Sequence, residues 1–140
     1  MRSSVWGAGL AFVLLVAGAA GWWQTGARWR GPLYCFEQAG LVWGLSPIPA
    51  GVAASCPESR TVRAEVRAGR ARLEQFTLPG WAPDTLMRPL LAGGFTVLRA
   101  LPDDGVQVEA ILTRGQERVL YTAAHQGEGT FVTLSRVGRD

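Results

Sequence analysis

The 140-residue chain has no lysine, one histidine and two cysteines, and it lacks the short motifs that usually announce chemistry. A lone His125 excludes a histidine-based metal cluster. Cys35 and Cys56 stand too far apart for the C-x-x-C spacing of a redox pair. No G-x-S-x-G elbow occurs, because GLSPI around Ser46 lacks the second glycine and puts a proline where a helix would have to begin. No glycine-rich phosphate loop precedes a helix, since LAGGF follows the one expected nearby. Asp103 and Asp104, adjacent and followed by Gly105, have the composition of a tight turn. These absences leave no catalytic residue, metal ligand set or cofactor to assign. All 14 basic residues are arginine, against 11 acidic ones, for a net charge of +3 spread along the chain. With so much alanine, glycine and valine, that choice reads as the bias of a G+C-rich genome, and nucleic acid is not an expected partner.

What the chain does have is an apolar start. Val5 to Trp23 is free of charge over 19 residues, and at about 1.5 Å per residue a helix of that length reaches roughly the ~30 Å of a bilayer core. Trp22, Trp23 and Trp29 then interleave with Arg28 and Arg30, as interfacial side chains do at a membrane surface. Residues 1–23 are therefore expected to form a signal anchor, 24–32 a juxtamembrane linker, and 33–140 a domain. The basic Arg2 and the small residues Ala17-Gly18-Ala19 also fit a cleavable signal, which would release a soluble exported protein. Both cysteines lie beyond the apolar run, and an even pair in a short exported domain reads as a disulfide. That places the domain on the extracytoplasmic, periplasmic side of a single-pass inner-membrane protein. A Cys35–Cys56 bond would close a loop of about 22 residues.

Pro47, Pro49 and Pro57 forbid a continuous helix in the turn-rich segment ending at Ser59. From Thr61 to Arg67 the apolar Val62, Ala64 and Val66 alternate with polar residues, which predicts a strand. A turn at Ala68-Gly69 leads to a second strand, in which Phe76 and Leu78 fall out of phase with Ala71 and Leu73 and imply a bulge near Glu74 or Gln75. WAPDTLMRPLLAGG predicts one short helix, shortened or kinked at Pro89 and ended by Gly93-Gly94. Four further strands follow: Phe95 to Leu101, Val106 to Thr113, Arg118 to Ala123 and Thr130 to Val137, joined by short hairpin connections. The fold class expected is α+β, an N-terminal transmembrane helix followed by an antiparallel meander of about six strands with one helix packed on it.

The first predicted hairpin would set Arg63, Arg67, Arg70 and Arg72 on one outer face, a stripe suited to anionic headgroups or an acidic partner. The function expected is a non-catalytic interaction or assembly module of a bacterial envelope, whose partners are the membrane and another envelope protein. A second reading is a small-molecule or lipid carrier with a cavity lined by Trp81, Leu86, Leu90 and Phe95. A membrane helix before a small antiparallel sheet is also similar in layout to pilin-like envelope components, though GGFTVLR lies in mid-domain, away from any N-terminal processing site.

Overall fold

Ser59 decides the first local structure of the domain. In the computed structural model, which describes residues 17–18, 21 and 26–138, its hydroxyl accepts the Val62 N–H at 3.3 Å and caps a helix, α1, Arg60–Arg67. The helix ends in a paired-carbonyl turn: Gly69, at φ +72°, donates to the Val66 carbonyl and Arg70 to that of Glu65. The strand expected over Thr61 to Arg67 is therefore a helix. Val62 and Val66 satisfy an i, i+4 spacing as well as a period of two, and arginine, alanine and glutamate are good helix formers. Ala68-Gly69 is a helix stop and not a hairpin turn.

The remaining elements are β1 (Leu41–Val42), β2 (Ser46–Pro47), β3 (Ala53–Ser55), β4 (Leu73–Leu78), α2 (Met87–Ala92), β5 (Thr96–Ala100), β6 (Gln107–Arg114), β7 (Glu117–Gln126) and β8 (Gly129–Arg136). Strands β1 and β2 form a small hairpin, and the other six make one antiparallel sheet in the order β3-β4-β8-β7-β6-β5. The class is α+β, as expected. Only β5 to β8 run as a meander, because the connection carrying α2 takes the chain from β4 to the far edge, and β8 returns to pair with β4. Two-residue loops, Gly115-Gln116 and Gly127-Glu128, join β6 to β7 and β7 to β8, each with its glycine at φ +60°. A glycine first in a two-residue loop gives the twist that hairpin strands require.

No bulge interrupts β4, which pairs with β8 in unbroken register from Leu73–Ser135 to Leu78–Thr130. Glu74, Phe76 and Leu78 all face the core, so the phase conflict is resolved by burying a carboxylate. The irregularity sits instead in β5, between Val97 and Arg99. One face of the sheet carries Phe76, Leu112, Val119, Tyr121, Val132 and Leu134, all buried. Phe36 meets Phe76 edge-on at 5.5 Å, and the Tyr121 hydroxyl donates to the Pro83 carbonyl beside α2. Pro89 stands in the first turn of α2, where its missing N–H costs no helical bond, so it shortens the helix without kinking it.

The described residues group into two compact units, one ending at Gly31 and the other beginning at Pro32. In the first, residues 26–30 are helical. The apolar run Val5 to Trp23, with Trp22 and Trp23, lies outside the described residues apart from Ala17, Gly18 and Gly21. Among the described residues no helix is long and apolar enough to cross a membrane.

Candidate functional site

The turn between β1 and β2 holds Trp43 at φ +52°, a left-handed conformation that a bulky side chain rarely adopts and that costs on the order of 1–3 kcal/mol. Three contacts hold it there. Its backbone N–H donates to Glu74 Oε2 at 2.7 Å, its indole N–H donates to Glu117 Oε1 at 2.9 Å, and the Arg72 guanidinium stacks 3.9 Å above its ring. Arg72 also lies 3.4 Å from Glu37, 3.5 Å from Glu117 and 4.0 Å from Glu74. Glu74 Oε1 has no hydrogen-bond partner among the described residues, and its ion pair with Arg72 is long. Burial therefore pushes the Glu74 carboxyl up to about 7, against the pull of the Trp43 amide and Arg72. With no exposed surface, Glu74 cannot touch a substrate, and the cluster acts as a clamp on the hairpin.

The arginine stripe read from the sequence does not exist as a face. Arg63 stacks on Tyr34 at 4.1 Å, Arg67 ends α1, Arg70 forms a two-bond pair with Glu65, and Arg72 is withdrawn into the Trp43 clamp. Arg63 and Arg67, four apart, still share a face of α1, but the helix ends at Arg67, so Arg70 and Arg72 no longer continue their row as a hairpin strand would have done. The tertiary structure assembles a different group. Arg70, Arg118 and Arg136 line one groove of about 470 Å³ at the end of the sheet, with Gln116, Glu117 and Val137. An adjoining groove of about 590 Å³ shares Gln116, Arg118 and Val137 and extends to Leu98.

Cys35 and Cys56 are joined, with Cα atoms 5.8 Å apart. Of the expected interfacial residues, Arg28, Trp29 and Arg30 lie in the helical residues 26–30, where the Arg28 guanidinium sits 4.6 Å from the Trp29 ring. Among the described residues no three histidine, cysteine, aspartate or glutamate side chains converge on a metal position. His125 stacks on Trp81 at 3.9 Å and its Nε2 lies 3.1 Å from the Gly105 carbonyl. Leu86 and Leu90 are 0% exposed and Phe95 2%, so they pack against their neighbours and do not line a ligand-sized space. Asp103 and Asp104 accept backbone N–H groups from Gly105, Val106 and Gln107, which is turn chemistry.

Among the described residues the most exposed apolar surface is at the β5 edge. Val97, Leu98, Leu101 and Val106 are 47, 56, 47 and 62% exposed, and every residue of β5 is exposed. Comparison with protein-family models, with curated proteins and with solved structures found no match to this chain.

Sequence reasoning missed Glu74 and Trp43 as partners. The signal for Glu74 was present, because a period of two through Phe76 and Leu78 puts position 74 on the core face. Nothing local announces that Trp43, 31 residues away, donates to it.

Proposed function

We propose that the chain is a non-catalytic interaction module of a bacterial envelope, anchored by its N-terminal apolar segment, whose domain docks a second envelope protein along β5. The supporting observation is the edge itself, a strand exposed at every residue with four large apolar side chains along it and beside it. Arg99 stands among them, exposed. The fitting occupant is an extended segment that adds a strand and sets an acidic side chain against Arg99. A second copy is disfavoured, because symmetric pairing about this stretch would bring two Arg99 side chains together, and the irregularity at Leu98 interrupts a flat edge. The carrier reading receives less support, since Leu86, Leu90 and Phe95, three of the four residues named for its cavity, are packed.

Photo-crosslinking groups placed at Leu98 and Val106 of the full chain in its native membrane should give an adduct with a different protein, while one at Thr77, exposed on β4, should not. Ala100→Pro should abolish the adduct with the melting temperature nearly kept. The Leu101 N–H bonds inward to the Glu109 carbonyl, so the N–H of Ala100 points to the free edge and the ladder does not need it. Adducts that survive Ala100→Pro, appear equally from Thr77, or have the mass of two copies of the chain would reject the reading.

A further inference from the structure

We propose that the groove lined by Arg70, Arg118 and Arg136 is an oxyanion site that takes a phosphate or phosphodiester group. Three elements far apart in sequence deliver these guanidiniums: Arg70 follows α1, Arg118 is the second residue of β7 and Arg136 ends β8. Backbone bonds fix their spacing, since Arg136 N–H donates to the Arg72 carbonyl at 2.9 Å and Val137 N–H to the Arg118 carbonyl at 3.0 Å.

The charge in the groove is only partly spent internally. Among the described residues Glu117 is the one carboxylate on its wall, and it is turned to other partners. Its Oε1 receives the Trp43 indole and faces Arg72, and its Oε2 lies 3.1 Å from Arg114. Arg118 makes no ion pair among the described residues, and the only one Arg136 makes there is a 4.0 Å approach to Glu37. Arg70 is held by two bonds to Glu65, which leaves its position fixed but part of its charge satisfied. Arg118 and Arg136 are thus the principal ligands and Arg70 a flanking one. Guanidinium groups present paired N–H donors that match the geometry of a phosphate.

The adjoining groove runs from Arg118 to the exposed Leu98, so a phosphate bound here has an apolar surface beside it. That arrangement suits a phosphate carrying an apolar substituent, as in a lipid headgroup, as well as a free phosphate. The site stands independently of the β5 docking reading, with which it shares only Leu98.

The full chain, labelled with ¹⁵N-arginine and ¹⁵N-leucine and held in zwitterionic detergent, would be titrated at low salt with inorganic phosphate and, separately, with short-chain phosphatidylglycerol. Saturable shifts of the Arg118 and Arg136 Nε–H resonances are expected. Each guanidinium removed should weaken binding about tenfold, in Arg118→Gln, Arg136→Gln and the double variant. Arg88→Gln, at an exposed position of α2 outside the groove, should change nothing. Tighter binding of phosphatidylglycerol with a shift at Leu98 identifies a lipid headgroup, and equal binding identifies the phosphate group alone. The double Lys variant keeps the charge and guards against a folding defect, and it should bind more tightly than the double Gln variant. Absence of saturation with both probes, or equal binding by the double Gln variant and the unmodified chain, overturns the proposal.

Discussion

At the scale of single residues, the domain stores its least comfortable choices in one place. Trp43 is left-handed, Glu74 is a fully buried carboxylate and Arg72 is a guanidinium only 11% exposed, and each is tolerable because of the other two. The buried carboxyl sets a pH dependence with a definite sign. Its folded value, about 7, lies above its ordinary 4.5, so folding favours the protonated form. The stabilisation is complete below pH 4.5 and is lost as pH rises through 7, an effect on the order of 3 kcal/mol. Asp104, held below the usual carboxylate range by the Gln107 and Val106 amides, acts in the opposite direction at more acidic pH. Thermal melts should therefore rise in midpoint from pH 8 to pH 5. Glu74→Gln keeps an acceptor for the Trp43 amide and removes the titration, so its midpoint should stay flat over that window. Parallel pH curves for the two proteins would show that another group is responsible.

Elements differ in how far local sequence can specify them. The helix stop at Gly93-Gly94, the Gly115 and Gly127 hairpins and the strands β6 to β8 follow from glycine placement and strict alternation, and all were legible. The segment Arg60–Arg67 was not, because valines at 62 and 66 satisfy both periods and the cap at Ser59 lies outside the alternating stretch. Strand packing adds constraints that no propensity contains. At Gly129, which starts β8, an added Cβ would lie 2.6 Å from the Leu78 carbonyl oxygen, a backbone atom that cannot yield easily. Gly129→Ala should therefore lower stability in denaturant unfolding by about 1–3 kcal/mol. Gly138→Ala, where a Cβ would meet nothing within 4 Å, is the matched control. Equal midpoints for the two variants would mean that β4 and β8 can separate at that end at little cost.

Across the whole molecule, the disulfide ties the segment that covers the sheet to the start of α1. The Tyr34 hydroxyl donates to the Pro57 carbonyl beside it, and Phe36 reaches Phe76 from the same segment. Reduction of Cys35–Cys56 should cost about 3 kcal/mol. It should speed hydrogen exchange first at Leu45 and Ile48, whose amides bond within the β1–β2 hairpin region, and later at the central strand β7. Uniform acceleration at all these sites would instead indicate a single cooperative unit. By itself the sequence determined the α+β class, the pairing of its only two cysteines, the four C-terminal strands and the helix before them. Those outcomes depend on contacts near in sequence, on turn glycines, or on there being one possible partner. Only the tertiary structure decided that β8 turns back to β4, that Glu74 is buried under Trp43, and that Arg118 and Arg136 share a groove with Arg70 while Arg63, Arg67 and Arg72 go elsewhere. Each of those joins residues tens of positions apart, and alternation along one strand carries no information about which distant strand will lie beside it.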